Sequence, residues 1–158
     1  MSRVTGSWLS GGVGEPGGVD QEWPGERLGL PKDGPGAVAG RGARLGALLV
    51  DFVLTALATS LFVRFDANDT AQMQQFNYIA LIVWFVLTVV MIGLFGFTPG
   101  KLLFGLRAVR VDGSAMVNLL RAIPRTLLTA LVVPAALADA DGRGLHDKVT
   151  GTVVVRTR

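Results

Sequence analysis

The chain has 158 residues, of which 50% are hydrophobic and only 17% charged, and its mean hydropathy is +0.48. A charged fraction below the roughly 25% of soluble domains, together with long uncharged runs, argues against a soluble enzyme and a disordered chain and leaves one small membrane domain. The net charge of +3 comes from basic residues spread along the chain, not clustered with aromatics as on a nucleic-acid surface; with no cysteine and a single histidine, no disulfide, metal site or cofactor is expected.

Residues 1–40 are rich in glycine and proline, including Gly11, Gly12, Pro16, Pro24, Pro31 and Pro35, and show no helical or strand periodicity. They read as a flexible cytoplasmic tail, with Trp8 and Trp23 as incidental aromatics or membrane-surface contacts. No basic segment leads into an apolar run here, so no cleavable signal is expected and the first span acts as the membrane-targeting signal.

Between Arg44 and Arg64 lie 19 residues, about 45–63, whose only charge is Asp51; at roughly 28 Å of helix they match a bilayer core. The second span, about 78–97, carries no charge at all. The connecting loop holds Asp66 and Asp69 and no Lys or Arg, whereas basic residues precede the first span and follow the second. The positive-inside rule then places the N-terminus in the cytoplasm. Pro99 and Gly100 read as a tight turn out of the membrane, with Lys101 anchoring the interface. Gly42 and Gly46, and again Gly96 and Gly100, have the spacing that permits close helix contact.

A third helix, about 120–138, follows Arg121 and Arg125, and Pro134 interrupts its uncharged part. It is short enough either to span or to re-enter. Leu106 to Val111 and Met116 to Val117 flank the turn dipeptide Asp112-Gly113, and Thr152 to Val155 is another β-branched run. Three short strands on one cytoplasmic face would keep the tail inside and favour re-entry. The expected fold is therefore an all-α integral membrane protein with two firm spans, a short third helix and a small β element.

Asp51 lies seven residues after Arg44, on nearly the same helix face. An ionised Asp inside a bilayer costs on the order of 3 kcal/mol, so basic partners on other elements are expected. Arg121 and Arg125 share a face at i, i+4 and sit near a helix start, where cations are disfavoured and an anion is needed. Arg44, Asp51, Arg121, Arg125 and Asp147 are thus expected to form one intramembrane cluster, which either locks the helices or carries ions. His146, beside Asp147, is a candidate for proton handling. No nucleophile elbow, phosphate-cradling loop or carboxylate pair suggests an enzyme.

The segments RLGALLVDF (44–52), FTPGKLLFGLRAVRVDG (97–113), LLRAIPR (119–125) and RGLHDKVTGTVVV (143–155) together resemble the RDD family of bacterial membrane proteins over about residues 41–157. The resemblance implies that the family's Arg falls on Arg44, its first Asp on Asp51 and its second on Asp147, with Asp139 and Asp141 as alternatives. It implies a bacterial inner-membrane protein more than an activity, although cation/proton antiport is suggested for some members. Two functions remain: an accessory or scaffolding protein binding anionic lipid or a membrane partner, and a homo-oligomeric cation/proton transporter using Asp51.

Overall fold

The structure is a computed structural model and describes residues 21–114, 117–131 and 142–158. Its longest elements are α1 (Arg41–Ser60) and α2 (Thr70–Phe95), both long and apolar enough to cross a membrane. The short connection between them makes them an antiparallel pair. Phe52 on α1 stacks on Trp84 of α2, with ring centroids 4.6 Å apart. Leu49, Val53 and Leu57 on α1, and Ile82 and Val86 on α2, stay exposed, as side chains facing lipid would.

The helix bounds differ from the hydropathy reading at both ends. α2 begins eight residues before the apolar span at 78 because Asp69 caps it, its side chain accepting from the amides of Ala71 and Gln72. It stops at Phe95 because Gly96 adopts φ 77° and donates its amide to the carbonyls of Ile92 and Met91. α1 starts at Arg41 and ends at Ser60, leaving Phe62 and Val63 outside it. Near that end, the Thr59 and Ser60 hydroxyls donate back to the carbonyls of Thr55 and Leu57.

After α2 the expected tight turn is instead a short helix, α3 (Pro99–Leu103), with Thr98 as its cap and Pro99 in its first turn. β1 (Leu106–Arg110) follows, then α4 (Leu119–Ala130), α5 (Leu145–Thr150) and β2 (Thr152–Arg156). The described part of α4 contains Pro124 and is about 18 Å long. The rest of the expected third helix, with Pro134, lies outside the described residues, as do Asp139, Asp141 and Met116.

β1 pairs antiparallel with β2, Ala108 opposite Val154. The Asp112-Gly113 turn forms, with Gly113 at φ 82°, but it does not fold a hairpin onto Val117, which is buried against Val89, Ile92, Ala108 and Ala122. β2 takes the place next to β1 instead. Its four-residue buried run, Thr152 to Val155, suits a strand covered on both faces.

The second edge of β2 is taken by residues that the glycine and proline content marks as tail. The amides of Gly36 and Ala39 donate to the carbonyls of Arg156 and Val154, the Arg156 amide donates to Ala37, and Val38 bridges to Val155. Residues 21–39 are thus folded onto the sheet. A single 3-10 turn (Glu26–Leu28) and the Trp23 indole, which donates to the Leu30 carbonyl at 3.0 Å, fix their path. Glycines and prolines here make turns that return a short extended stretch to an otherwise open strand edge. Trp8 lies outside the described residues.

Candidate functional site

α1, α2, α3, α4, α5 and β2 enclose a cavity of about 310 Å³ at the end of the bundle that holds the start of α1 and the end of α2. Behind its wall sits Asp147, wholly buried. Arg44 reaches it from α1 at 3.2 Å, and Arg125 reaches it from α4. Thr152, the first residue of β2, donates to the same carboxylate at 3.2 Å and accepts from Arg125. Arg44 also donates to the Val154 carbonyl at 3.3 Å. One carboxylate therefore ties α1, α4 and β2 to α5.

α4 can supply Arg125 because Ala122, Arg125 and Thr126 recur at helical spacing on its buried side. Arg121 diverges from Arg125: it is exposed and donates to the Thr150 carbonyl at 3.3 Å. Burial alone would raise the Asp147 pKa, but the cations around it, Arg125 first, override burial and hold the carboxyl below its ordinary range.

Asp51 is buried and lines the same cavity, yet its partners are not the basic residues expected for it. The Thr98 hydroxyl donates to it at 2.5 Å and the Gly100 amide at 2.7 Å. Both donors come from the start of α3, where free backbone amides favour an anion. This needs α3 very close to α1: a Cβ on Gly100 would collide with the Ala47 carbonyl and meet the Asp51 carboxyl. Gly100 and Gly46, the latter against the Phe104 ring, thus serve contacts within the chain. Gly42 meets open space, and Gly96 is the helix cap.

Lys101, read from the sequence as an interface anchor, lines the cavity instead. Loss of water lowers its pKa to about 8, with Arg125 adding to the shift and Asp51 opposing it. The sequence signal available was its position three residues after the Thr98 cap, which turns it back toward the first span. Trp84 was also missed, because a tryptophan inside an uncharged run reads as lipid-facing; it is 1% exposed.

His146 is buried, its Nε2 3.5 Å from Asp147, and burial pushes its pKa down to about 4 despite that carboxylate. It is therefore neutral at pH 7. The unfolded chain takes up this proton at about 6.5 and the folded chain only near 4, so stability is full above pH 6.5 and falls as pH drops toward 4. A loss on the order of 2 kcal/mol is expected across that window. Thermal unfolding in detergent should show it, and His146→Gln should flatten it; an unchanged profile in the variant would count against a buried neutral His146. Asp147, held low, adds its own loss at more acid pH.

Among the described residues, no group of three or more His, Asp or Glu is placed to hold a metal ion. Two long apolar helices, closed at one end by a small sheet and a buried Arg–Asp cluster, define a helical membrane protein. The model of the RDD family matches residues 38–151, well over half of the chain, and the protein belongs to that family. Within the matched region, Arg44 and Asp147 are joined directly and Asp51 lies on the wall of the same cavity. No curated protein and no solved structure matches the chain significantly.

Proposed function

We propose that this is a non-enzymatic accessory protein of the bacterial inner membrane, whose cavity holds the anionic headgroup of a lipid. The observation that carries this reading is the charge on the cavity wall. Arg41, Arg44, Lys101 and Arg125 line it against Asp51 alone, and Asp147 behind the wall balances only one cation more. An excess of positive charge at one end of a membrane bundle attracts lipid phosphate. The wall of Leu45, Leu48 and Ile92 supplies the apolar side that an acyl chain requires.

Topology supports an N-terminus in the cytoplasm. β1 and β2 pair, so the chain enters and leaves the segment between them on one side of the membrane. That segment holds one apolar stretch, which is too little for two crossings. The third helix is then re-entrant or lies in the plane, and residues 21–39, the sheet and the cavity mouth share the basic, cytoplasmic side. The exposed apolar faces of α1 and α2 leave room for a membrane-protein partner or a second copy.

Purification in mild detergent followed by native mass spectrometry tests the reading. Wild type is expected to retain anionic lipid, and Arg41→Gln with Lys101→Gln to retain at least fivefold less; these two are chosen because Arg44 and Arg125 hold Asp147. Equal retention in the variant would sink the proposal. The second reading, an oligomeric cation/proton exchanger, draws on Asp51 lining the cavity. In liposomes, cation-driven proton movement by wild type that Asp51→Asn abolishes would replace the lipid reading with this one; silence in both is expected.

A further inference from the structure

The elements that pack on the two long helices gather at one end of them. Of the six buried residues of α2, Trp84, Thr88, Val89, Ile92 and Gly93 lie in its second half and Phe76 alone in its first. α4 covers that second half: Leu119 lies against Gly93, and Ala122 is buried with Val89 and Ile92. α3 keeps to the same end. Gly100 meets the Ala47 carbonyl and the Asp51 carboxyl, and the Phe104 ring meets Gly46, all within about 15 Å of the first residue of α1.

What α3 and α4 turn outward is apolar. Leu103 on α3 and Leu120, Ile123 and Leu127 on α4 are exposed, the last three at the spacing of one helix face. They extend sideways the apolar surface that Leu49 and Val86 expose on the long helices, so the acyl chains around those helices cover them too. The eleven steps from Leu131 to Gly142 reach at most about 40 Å, and Gly142 lies back against Val38 and Pro24. A path from mid-bilayer to the opposite surface and back across needs roughly 45 Å. Among the described residues, the opposite leaflet therefore holds α1 and α2 alone. We propose that the protein is a wedge, with four helices in the leaflet on the cavity side and two in the other, and that it partitions into bilayer that is convex on the cavity side. Each added helix contributes roughly 100 Å² of cross-section to one leaflet. A bent bilayer supplies that area, whereas a flat one must crowd the lipids of that leaflet alone. The wedge is independent of what the cavity holds.

The chain has no cysteine, so single substitutions at exposed positions label it at one end. Lys32→Cys marks the cavity end and Ala67→Cys the loop between α1 and α2, both exposed. The full chain is reconstituted in giant vesicles, and a membrane-impermeant dye added outside reports only copies whose marked end faces outward. A nanotube pulled from such a vesicle is convex on its outer leaflet. Copies labelled at Lys32→Cys are expected to be enriched about twofold in the tube over the vesicle, and copies labelled at Ala67→Cys, which are inverted, to be depleted. Equal partition of the two labels would overturn the proposal, whether because lipid packing absorbs the difference or because a second copy fills the narrow half. A depth measurement tests its basis. Nitroxides at Leu103→Cys and Leu127→Cys should collide more with oxygen than with a water-soluble nickel complex, as at Leu49→Cys. A water-like signature at either site would overturn the wedge by taking that helix out of the leaflet.

Discussion

Asp147→Asn is expected to destabilise the protein by about 3–5 kcal/mol, the cost of breaking a buried ion pair from one side. Arg125 is 2% exposed and would keep its charge with no carboxylate beside it. Arg44 would lose the same partner. The asparagine fills nearly the same volume, so the loss isolates charge from packing. Chemical unfolding in detergent micelles measures it, and a change below about 1 kcal/mol would mean that water or lipid already compensates the two arginines. Replacing all three members together, Arg44→Met, Arg125→Met and Asp147→Leu, should recover much of the loss, because buried ion networks exchanged for apolar side chains are often neutral in stability. Poor stability in the triple variant would instead assign the cluster a role in fixing the fold.

The second large effect is expected at Gly100. Gly100→Ala places a methyl group against the Ala47 carbonyl and the Asp51 carboxyl, the first a backbone atom within α1 and the second a side chain held by two hydrogen bonds. α3 must retreat from α1, and with it go the Gly100 amide and Thr98 hydroxyl that hold Asp51. Overpacking and the loss of a hydrogen bond to a buried carboxylate together suggest on the order of 3 kcal/mol. Gly42→Ala, in the other GxxxG pair but meeting open space, should be near neutral and serves as control. If the two substitutions have equal effects in the same unfolding assay, the close approach of α3 is not what the glycine serves.

Hydropathy made the two apolar helices legible, because a run such as 78–97 without a charge has few other uses. It did not show that α2 starts at Thr70, since the signal there is a capping aspartate and two polar turns. The β-branched runs at 106–111 and 152–155 are visible as strands. Their pairing is not, because a local turn at Asp112-Gly113 competes on paper with a partner some forty residues away. Val38 was hidden for a different reason: a single bridge within a glycine- and proline-rich stretch has no periodicity to detect.

At the site, helix spacing and the cost of buried charge directed attention to Arg44, Arg125 and Asp147. The same reasoning misjudged Asp51, because it sought a cation where the fold supplies a hydroxyl and a helix-start amide. Arg121 shares the sequence pattern of Arg125, but only a three-dimensional neighbour decides which of two arginines one turn apart goes inward.

β2 lies between β1 and the stretch around Val38, and it follows both in the chain. A ribosome therefore releases the central strand after both of its neighbours, and Asp147 after both of its arginines. The two apolar helices are made before the cluster that ties α1 to α4 and β2 can exist, because Arg44 and Arg125 lack Asp147 until α5 arrives. The last segment thus brings both closing elements, a strand that fits between two others and a carboxylate that joins its cations. A nascent chain stalled before residue 147 would hold its helices in the bilayer with the cavity still unformed.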